Sequence, residues 1–181
     1  MKITKTELEG VVIIEPRVFE DSRGCFFESF SHKEFLQKVA DTRFVQDNES
    51  YSTYGVLRGL HFQRPPYAQA KLVRVVQGLI LDVAVDIRKG SPTFGKYIST
   101  ELSGHNKRQL YIPAGLAHGL IVLSKDAIVN YKCDNYYDPQ SEGSIRWNDP
   151  QLNIDWKLPI QDIILSDKDK VSPFLKDVAP L

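Results

Sequence analysis

The sequence predicts a mainly β domain of the antiparallel barrel or sandwich type. Gly and Pro residues recur at intervals of roughly 8 to 15 residues, which is typical of the turns in such folds. The runs between them are short and rich in Val, Ile, Leu, Tyr and Phe. No internal repeat and no change in composition marks a linker, so we expect residues 1–181 to form one domain.

The strand candidates follow one another along most of the chain and leave room for two short helices. They cover residues 11–16, 24–30, 55–63, 72–76, 79–87, 96–102, 109–112, 120–123 and 127–133. Ser31 followed by Glu34 has the form of a capping box, and Phe35 and Val39 continue it as one apolar helix face. Residues 166–169 begin in the same way, so we expect both helices to be short and peripheral.

The charge balance and the length of the apolar runs argue against two classes of partner. Lys and Arg together number 23, Asp and Glu also number 23, and no basic stripe is present. Because nucleic-acid binding depends on positive charge that faces phosphates, no nucleic-acid partner is expected. The apolar runs are far shorter than the roughly 20 residues that a membrane-spanning helix needs, so no membrane partner is expected either.

The two cysteines and the first residues favour a cytoplasmic location. Cys25 and Cys133 lie far apart and lack the spacing of a metal site, which favours free thiols in a reducing compartment. The start Met1-Lys2-Ile3 has no apolar segment of the signal-peptide kind. We therefore expect a cytoplasmic protein whose cysteines serve packing.

Three segments resemble the metal-binding segments of cupin barrels. They are GLHFQ at 59–63, KLVRVVQG at 71–78 and IPAGLAHG at 112–119. A cupin takes its metal from a His-x-His pair, a Glu seven residues before a Gly, and a His in a later Pro-x-Gly-x-x-His turn. The resemblance implies a cupin-type jelly-roll barrel in which two of the four ligand positions are altered.

The altered positions indicate proton chemistry on an organic anion. Gln63 stands at the second His position, and Lys71 stands seven residues before Gly78, where the Glu would be. An ammonium has no acceptor and repels a divalent cation, whereas it can hold an anion. His61 and His118 remain at the other two positions. No metal is therefore expected.

Strand alternation predicts which polar side chains reach the barrel interior. Because successive side chains point to opposite faces, Lys71 lies with Val73 and Val75, and Tyr131 lies with Cys133. We expect both polar groups inside, although a lysine in such a place can also extend from the rim.

Two further residues keep alternative placements. Strict alternation puts Arg58 and His61 on opposite faces of their strand. Arg58 then faces a partner subunit or solvent, unless a bulge at Gly59 turns it inward. Asp82 falls in a very apolar run, where a carboxylate needs a partner. That partner is the interior ammonium or His118, and a purely structural role is equally open.

Longer segments along nearly the whole chain resemble the dTDP-4-dehydrorhamnose 3,5-epimerase family, in the order of that family. They include DSRGCFFESF, FVQDNESYSTYGVLRGLHFQRPP, AQAKLVRVVQGLILDVAVDIRKGSPTFGK, LSGHNKRQLYIPAGLAHG and YKCDNYYDPQSEGSIRWNDP. The resemblance implies a homodimeric cupin that uses no metal and no cofactor. It also implies inversion of C3 and C5 of dTDP-4-dehydro-6-deoxy-D-glucose to give dTDP-4-dehydro-L-rhamnose, in dTDP-L-rhamnose biosynthesis.

The site residues of the family carry over by position. The resemblance implies His61 as the catalytic base and Asp169 as its carboxylate partner. It likewise implies Tyr131 as the acid on the opposite sugar face and Lys71 as the stabiliser of the enolate. The family contacts its substrate at the positions of Arg23, Glu28, Gln46, Asp47, Asn48, Arg58, Lys71, His118, Glu142 and Lys168.

These residue types suit removal of a proton next to a ketone. Such a proton is far less acidic than imidazolium, so His61 needs Lys71 to stabilise the developing enolate oxygen. Inversion also returns a proton to the other face of the carbon, which suits the hydroxyl of Tyr131. A diphosphate favours permanently charged, planar donors, here Arg23 and Arg58.

The nucleotide and the subunit arrangement give weaker expectations. Tyr137 and Phe26 are candidate platforms for the flat face of thymine, though aromatic residues in such loops often serve packing. In the homodimer that the family implies, with sites near the subunit interface, Arg23 and Glu28 would act in the neighbour's site.

Three other functions stay open. One is a metal-dependent cupin oxygenase or isomerase, which Gln63 and Lys71 argue against. Another is a non-catalytic protein that binds nucleotide sugars, which the joint presence of His61, Tyr131 and Asp169 argues against. The third is an epimerase that inverts only C3 or only C5 of a related dTDP-keto-sugar.

Overall fold

The computed structural model describes residues 1–181 and folds them into two antiparallel sheets and a separate hairpin. The strands are β1 (Lys2–Lys5), β2 (Val12–Glu15), β3 (Val18–Asp21), β4 (Gly24–Phe27), β5 (Gln46–Thr53), β6 (Leu57–Gln63), β7 (Lys71–Gln77), β8 (Leu79–Asp86), β9 (Tyr97–Ser103), β10 (Gln109–Ile112), β11 (Leu116–Val122), β12 (Asp126–Cys133) and β13 (Glu142–Ser144). The helices are α1 (His32–Lys38) and α2 (Asp167–Lys170), and 3₁₀ turns cover Ile160–Asp162 and Leu175–Asp177. None of these helices has both the length and the apolar character that crossing a bilayer requires.

The two sheets interleave strands that are distant in sequence. The six-stranded sheet has the order β1-β2-β10-β7-β12-β5, and the five-stranded sheet has the order β13-β6-β11-β8-β9. Strands β3 and β4 pair only with each other. The predicted mainly β class with short peripheral helices is confirmed.

The main apolar core lies between the two sheets. Val73 and Val75 of the six-stranded sheet pack there with Ala84 and Leu120 of the five-stranded sheet, and all four are buried. Burying these side chains contributes about 25 cal/mol for each Å² of apolar surface removed from water. The outer faces are covered separately, one by Phe35 of α1 and neighbouring aromatic rings, the other by C-terminal residues that include Trp156, Leu152 and Leu175.

The predicted helices are confirmed, and each begins at the serine that the sequence indicated. Ser31 accepts a hydrogen bond from the backbone N–H of Glu34, and Ser166 accepts one from that of Asp169. A capping serine satisfies a backbone donor that has no partner in the first turn. The cap on α2 therefore fixes the position of Asp169.

Four strands were not predicted, namely β1, β3, β5 and β13. Strand β5 has the sequence QDNESYST, which lacks the apolar run that marks a core strand. It lies at the edge of the six-stranded sheet, and its residues alternate between half-buried and mostly exposed. The strand predicted at 24–30 ends at Phe27, and the strand predicted at 120–123 begins at Leu116, so His118 lies within a strand.

Candidate active site

A cavity of about 460 Å³ lies between the sheets and is lined by all four predicted catalytic residues. Its walls come from β6, β7, β11 and β12 together with the segment that leads into α2. The polar side chains that line it include Arg58, His61, Lys71, His118, Tyr131 and Asp169. A smaller cavity of about 230 Å³ shares three of these residues, His61, Lys71 and Tyr131.

The imidazole of His61 is paired with a buried carboxylate. Nε2 of His61 lies 2.6 Å from Oδ1 of Asp169, and Ser166 donates a hydrogen bond of 2.8 Å to the other oxygen, Oδ2. Burial raises the pKa of Asp169, but the hydrogen bonds from His61 and Ser166, together with nearby positive charge, outweigh it and the net pKa is lowered. The carboxylate is therefore ionised at neutral pH, and its contact with Nε2 fixes the ring orientation of His61.

Lys71 brings an ammonium group to the cavity. It is the first residue of β7 and lies opposite Cys133 of β12. Burial lowers the pKa of Lys71, and the nearby Cys133, Asp82 and Glu142 oppose that shift. Its ammonium makes no ion pair within the chain and lies 5.9 Å from the centre of the Tyr131 ring. This ammonium is thus available to an oxyanion in the cavity.

Tyr131 faces the cavity from the sheet opposite to His61. Its phenol is half-buried, and its ring packs against the core between the sheets. Burial raises the pKa of Tyr131 above its ordinary value. The hydroxyl is therefore protonated at neutral pH and can donate a proton.

A bulge brings Arg58 into the same cavity as His61. The pairing of β6 with β11 shifts register between the His118–His61 and Leu120–Arg58 pairs, so the alternation is broken there. Gly59 has φ +133°, and a Cβ at this position would lie 2.5 Å from the Cα of Gly119. Only glycine fits, because both the backbone conformation and the close strand contact exclude a side chain. Arg58 therefore lines the cavity while its side chain stays exposed to solvent.

His118 holds the second imidazole of the cavity and is bound to Asp82. Nε2 of His118 lies 2.7 Å from Oδ1 of Asp82, whose side chain is completely buried. The other oxygen, Oδ2, is buried without a hydrogen-bond partner. Of the alternatives for Asp82, the structure therefore shows the pairing with His118.

A polar network borders the smaller cavity. Glu142 accepts hydrogen bonds from Lys168, at 2.5 Å, and from the hydroxyl of Tyr137, at 3.0 Å. Burial raises the pKa of Glu142, but these two partners outweigh it and the net pKa is lowered. Gln46 and Asn48 line the same cavity and are joined by a hydrogen bond of 3.0 Å.

Comparison with known proteins identifies the family. The model of the family described as dTDP-4-dehydrorhamnose 3,5-epimerase matches residues 5–177. The chain belongs to this family. It is 56% identical over 170 residues to the dTDP-4-dehydrorhamnose 3,5-epimerase of Shigella flexneri. The aligned residues make up 93% of each chain. The family and the isomerase class predicted from the sequence are confirmed.

Solved structures of related epimerases have the same fold. The dTDP-4-dehydrorhamnose 3,5-epimerase of Elizabethkingia anophelis NUHP1 matches with a TM-score of 0.94 and 54% identity, over 98% of this chain and 97% of that one. The dTDP-6-deoxy-D-glucose-3,5-epimerase of Legionella pneumophila Philadelphia 1, solved with dTDP-4-keto-L-rhamnose, matches with a TM-score of 0.94 and 50% identity. That match covers 98% of this chain and 94% of the other. These matches confirm the predicted cupin-like barrel.

Three predicted binding residues of this epimerase lie outside the cavity of their own chain. Arg23 is exposed at the β3–β4 turn, where it pairs with Asp21. Glu28 lines a separate groove of about 340 Å³, together with Phe26 and other residues of the N-terminal region. Asp47 lies on the outer face of β5 and binds Lys132, because the alternation of a strand turns it away from Gln46 and Asn48. Asp47 is therefore not a cavity residue in this chain.

Cys133 and Gln63 are among the residues of the epimerase cavities that had no functional role in the sequence analysis. Cys133 is buried and lines the smaller cavity, where burial raises the pKa of its thiol. Strand alternation placed Cys133 on the same face as Tyr131, and this was the sequence signal that it lies at the cavity. Gln63 also lines the smaller cavity, and the sequence analysis considered it only as a missing metal ligand. No group of three or more His, Cys, Asp or Glu side chains is placed to hold a metal ion.

Proposed function

We propose that the chain inverts C3 and C5 of dTDP-4-dehydro-6-deoxy-D-glucose and forms dTDP-4-dehydro-L-rhamnose, as a step of dTDP-L-rhamnose biosynthesis. The observation that carries this proposal is the placement of an acid and a base on facing sheets. His61, with its carboxylate, comes from the five-stranded sheet, and Tyr131 comes from the six-stranded sheet, into one cavity that also contains Lys71. Family membership supports the substrate class.

The first step is removal of a proton from the carbon next to the ketone. His61 accepts this proton, and the ionised Asp169 stabilises the imidazolium that forms. The electron pair of the broken C–H bond moves into the ketone, whose oxygen becomes the enolate oxygen. Lys71 stabilises that negative charge, an effect of roughly 100- to 1000-fold in rate for one well-placed donor.

The second step returns a proton to the opposite face. Tyr131 donates the proton of its hydroxyl to the carbon, and the enolate becomes a ketone again. Solvent then reprotonates the phenolate and takes the proton from the imidazolium of His61, so both groups are ready for the next inversion. C3 and C5 both flank the C4 carbonyl, so one cation at the C4 oxygen can serve both inversions. The arrangement is therefore suited to two successive exchanges on one bound sugar.

Other residues bind the nucleotide in this proposal. Arg58 and Lys168 supply positive charge at the cavity for the diphosphate. Gln46, Asn48 and Glu142 offer amide and carboxylate groups at the smaller cavity. The reaction uses no metal and no cofactor, and the 181 residues act as one domain in the cytoplasm, where the free Cys25 and Cys133 would stay reduced.

The active form in this proposal is a homodimer with its sites near the subunit interface. The support is that Arg23 and Phe26 are exposed on a hairpin that pairs with no other strand of its own chain. Arg23 and Glu28 then complete the site of the neighbouring subunit. Mixing the inactive variants Arg23→Ala and His61→Ala should restore part of the activity, because one of the two mixed sites has both residues intact. Exchanged heterodimers without activity would contradict shared sites.

Counting deuterons tests the main proposal. The chain is incubated with dTDP-4-dehydro-6-deoxy-D-glucose in heavy water, with a chelator and without added metal. Two deuterons per sugar, measured by mass spectrometry, are the expected result, because each inversion exchanges one C–H proton with solvent. A persistent single deuteron would instead identify an epimerase of C3 or C5 alone, and no uptake would indicate a binding protein.

A further inference from the structure

Gln63, at the second ligand position of the cupin pattern, is fully engaged in binding two loops. It ends β6, and only 5% of its surface is exposed. Its Nε2 donates to the backbone oxygens of Tyr67, at 2.6 Å, and Tyr136, at 3.1 Å. Its Oε1 accepts from the backbone N–H of Asp138, at 2.9 Å. Both ends of the amide are therefore committed to backbone groups.

The two loops that Gln63 joins, 64–70 and 134–141, are also bound to each other at their surface. Gln69 donates to the backbone oxygen of Asn135, at 2.8 Å, and Asn135 donates to that of Pro66, at 3.2 Å. These residues are partly or mostly exposed, whereas Gln63 is buried. Buried hydrogen bonds resist competition from water, so Gln63 connects the loops more strongly than these two surface contacts do.

The contacts of Gln63 lie on both sides of Tyr137. The backbone of Tyr136 and of Asp138 is held by the amide, and the N–H of Tyr137 donates to Gln46, at 3.2 Å. The hydroxyl of Tyr137 is fixed on Glu142, while 56% of the residue is exposed at the smaller cavity. Tyr137 thus presents an aromatic surface whose backbone and hydroxyl are both fixed.

We propose that Gln63 is a positioning residue that holds Tyr137 at the cavity mouth as a contact surface for the nucleotide of the substrate. This inference rests on the proposed function. Gln63 contacts no reacting atom, so its effect reaches the reaction through Tyr137. Its loss should weaken binding of the nucleotide and leave proton transfer at His61 and Tyr131 largely unchanged.

The substitution Gln63→Glu tests the role, because it keeps the shape and replaces the donor NH₂ by an oxygen that faces two carbonyl oxygens. Losing these hydrogen bonds and leaving buried groups unpaired should raise KM, and the Kd of dTDP, roughly 10- to 100-fold. We expect kcat to stay within about threefold of the wild type. Lower pH should restore part of the affinity, since a protonated carboxyl can donate again. Gln151→Glu, at an exposed turn, is the matched control and should change neither quantity.

A double-mutant cycle separates positioning from general stability. Tyr137→Ala removes an exposed side chain, so it should fold, and it should by itself raise KM and the Kd of dTDP. In that background Gln63→Glu should add less than about twofold, because coupled residues are not additive. The proposal is overturned if Tyr137→Ala leaves both constants unchanged, or if Gln63→Glu has the same effect in both backgrounds. It is also overturned if Gln63→Glu lowers kcat alone. Failure of the proposed function would look different, since the wild type itself would take up no deuterium.

Discussion

The cavity contains two imidazole–carboxylate pairs of the same chemistry in different surroundings. The side chain of His61 is 30% exposed and that of His118 only 9%, although the two residues lie opposite each other on β6 and β11. Asp169 has hydrogen bonds to both oxygens, from His61 and Ser166. Asp82 is completely buried on β8 and has one oxygen without a partner.

The difference shows that the role of a His–Asp pair depends on the hydrogen bonds and the burial of its carboxylate. Asp169 sits in a short helix at the cavity wall, where a second hydrogen bond stabilises its charge, as the proposed role of His61 as the base requires. Asp82 lies inside a sheet, where His118 is the partner in its only hydrogen bond. The first pair suits proton transfer, and the second suits fixed orientation of His118.

Replacing each imidazole by alanine should separate the two pairs most clearly. His61→Ala removes the base and should lower kcat about 100- to 10,000-fold, while dTDP binding persists. Its effect on stability should be smaller than that of His118→Ala, because Ser166 still binds the carboxylate of Asp169. His118→Ala leaves the carboxylate of Asp82 buried and unpaired, which should lower the free energy of unfolding by about 3 kcal/mol or more.

Solvent deuterium uptake and urea denaturation measure these two effects side by side. The comparison holds if uptake is lost only in His61→Ala and the denaturation midpoint falls most in His118→Ala. Unchanged uptake in His61→Ala would remove His61 from the role of base. Equal losses of stability in the two variants would show that the pairs do not differ in support.

Replacing the two carboxylates should also affect kcat unequally, with the larger loss at Asp169, but by smaller factors than replacing His61. Asp169→Asn keeps the shape but loses a charge-assisted hydrogen bond of about 1.5–3 kcal/mol, which corresponds to roughly 10- to 100-fold in kcat. Asp82→Asn should lower kcat by less than about tenfold, since the charge of Asp82 is not needed for proton transfer. Steady-state kinetics of the two variants at one pH make the comparison. A larger loss of kcat in Asp82→Asn would reverse the assignment of the base.

Acid denaturation gives an independent control on Asp169. Its pKa in the folded chain lies below 3.8, the ordinary value of an aspartate, so the ionised form stabilises the fold above that value. This contribution is lost as the pH falls through the lowered folded-state pKa. The stability difference between wild type and Asp169→Asn should therefore be constant near neutral pH and become smaller below about pH 3.8. A difference that stays constant at acid pH would mean that Asp169 carries no such shift.

The sequence predicted the parts of the site that follow strand periodicity. Lys71 and Tyr131 were expected inside because they alternate with apolar residues, and both line the cavity. Asp169 is 108 residues from His61, so no local pattern joins the two, and only the resemblance to a family paired them. Long-range contacts of this kind depend on how the sheets assemble rather than on neighbouring residues.

Two residues whose direction the sequence did not settle show where periodicity stops being informative. Strand β5 is polar throughout, so it was not predicted, and without it the outward direction of Asp47 could not be derived. Arg58 reaches the cavity through a bulge at Gly59, which the sequence offered only as one of two alternatives. A bulge depends on the contact with Gly119 of a neighbouring strand, which local sequence does not contain.

The smallest effect is expected from the support of Asp169 itself. Ser166→Ala removes the cap of α2 and the hydrogen bond to Oδ2 of Asp169, while His61 keeps its bond to Oδ1. Loss of the cap should lower the free energy of unfolding by about 1 kcal/mol, and kcat should fall by less than about tenfold. Ser166→Thr keeps the hydroxyl and should behave like the wild type. If Ser166→Ala changes neither quantity, the second hydrogen bond of Asp169 does not explain why this pair, rather than the one in the sheet, transfers the proton.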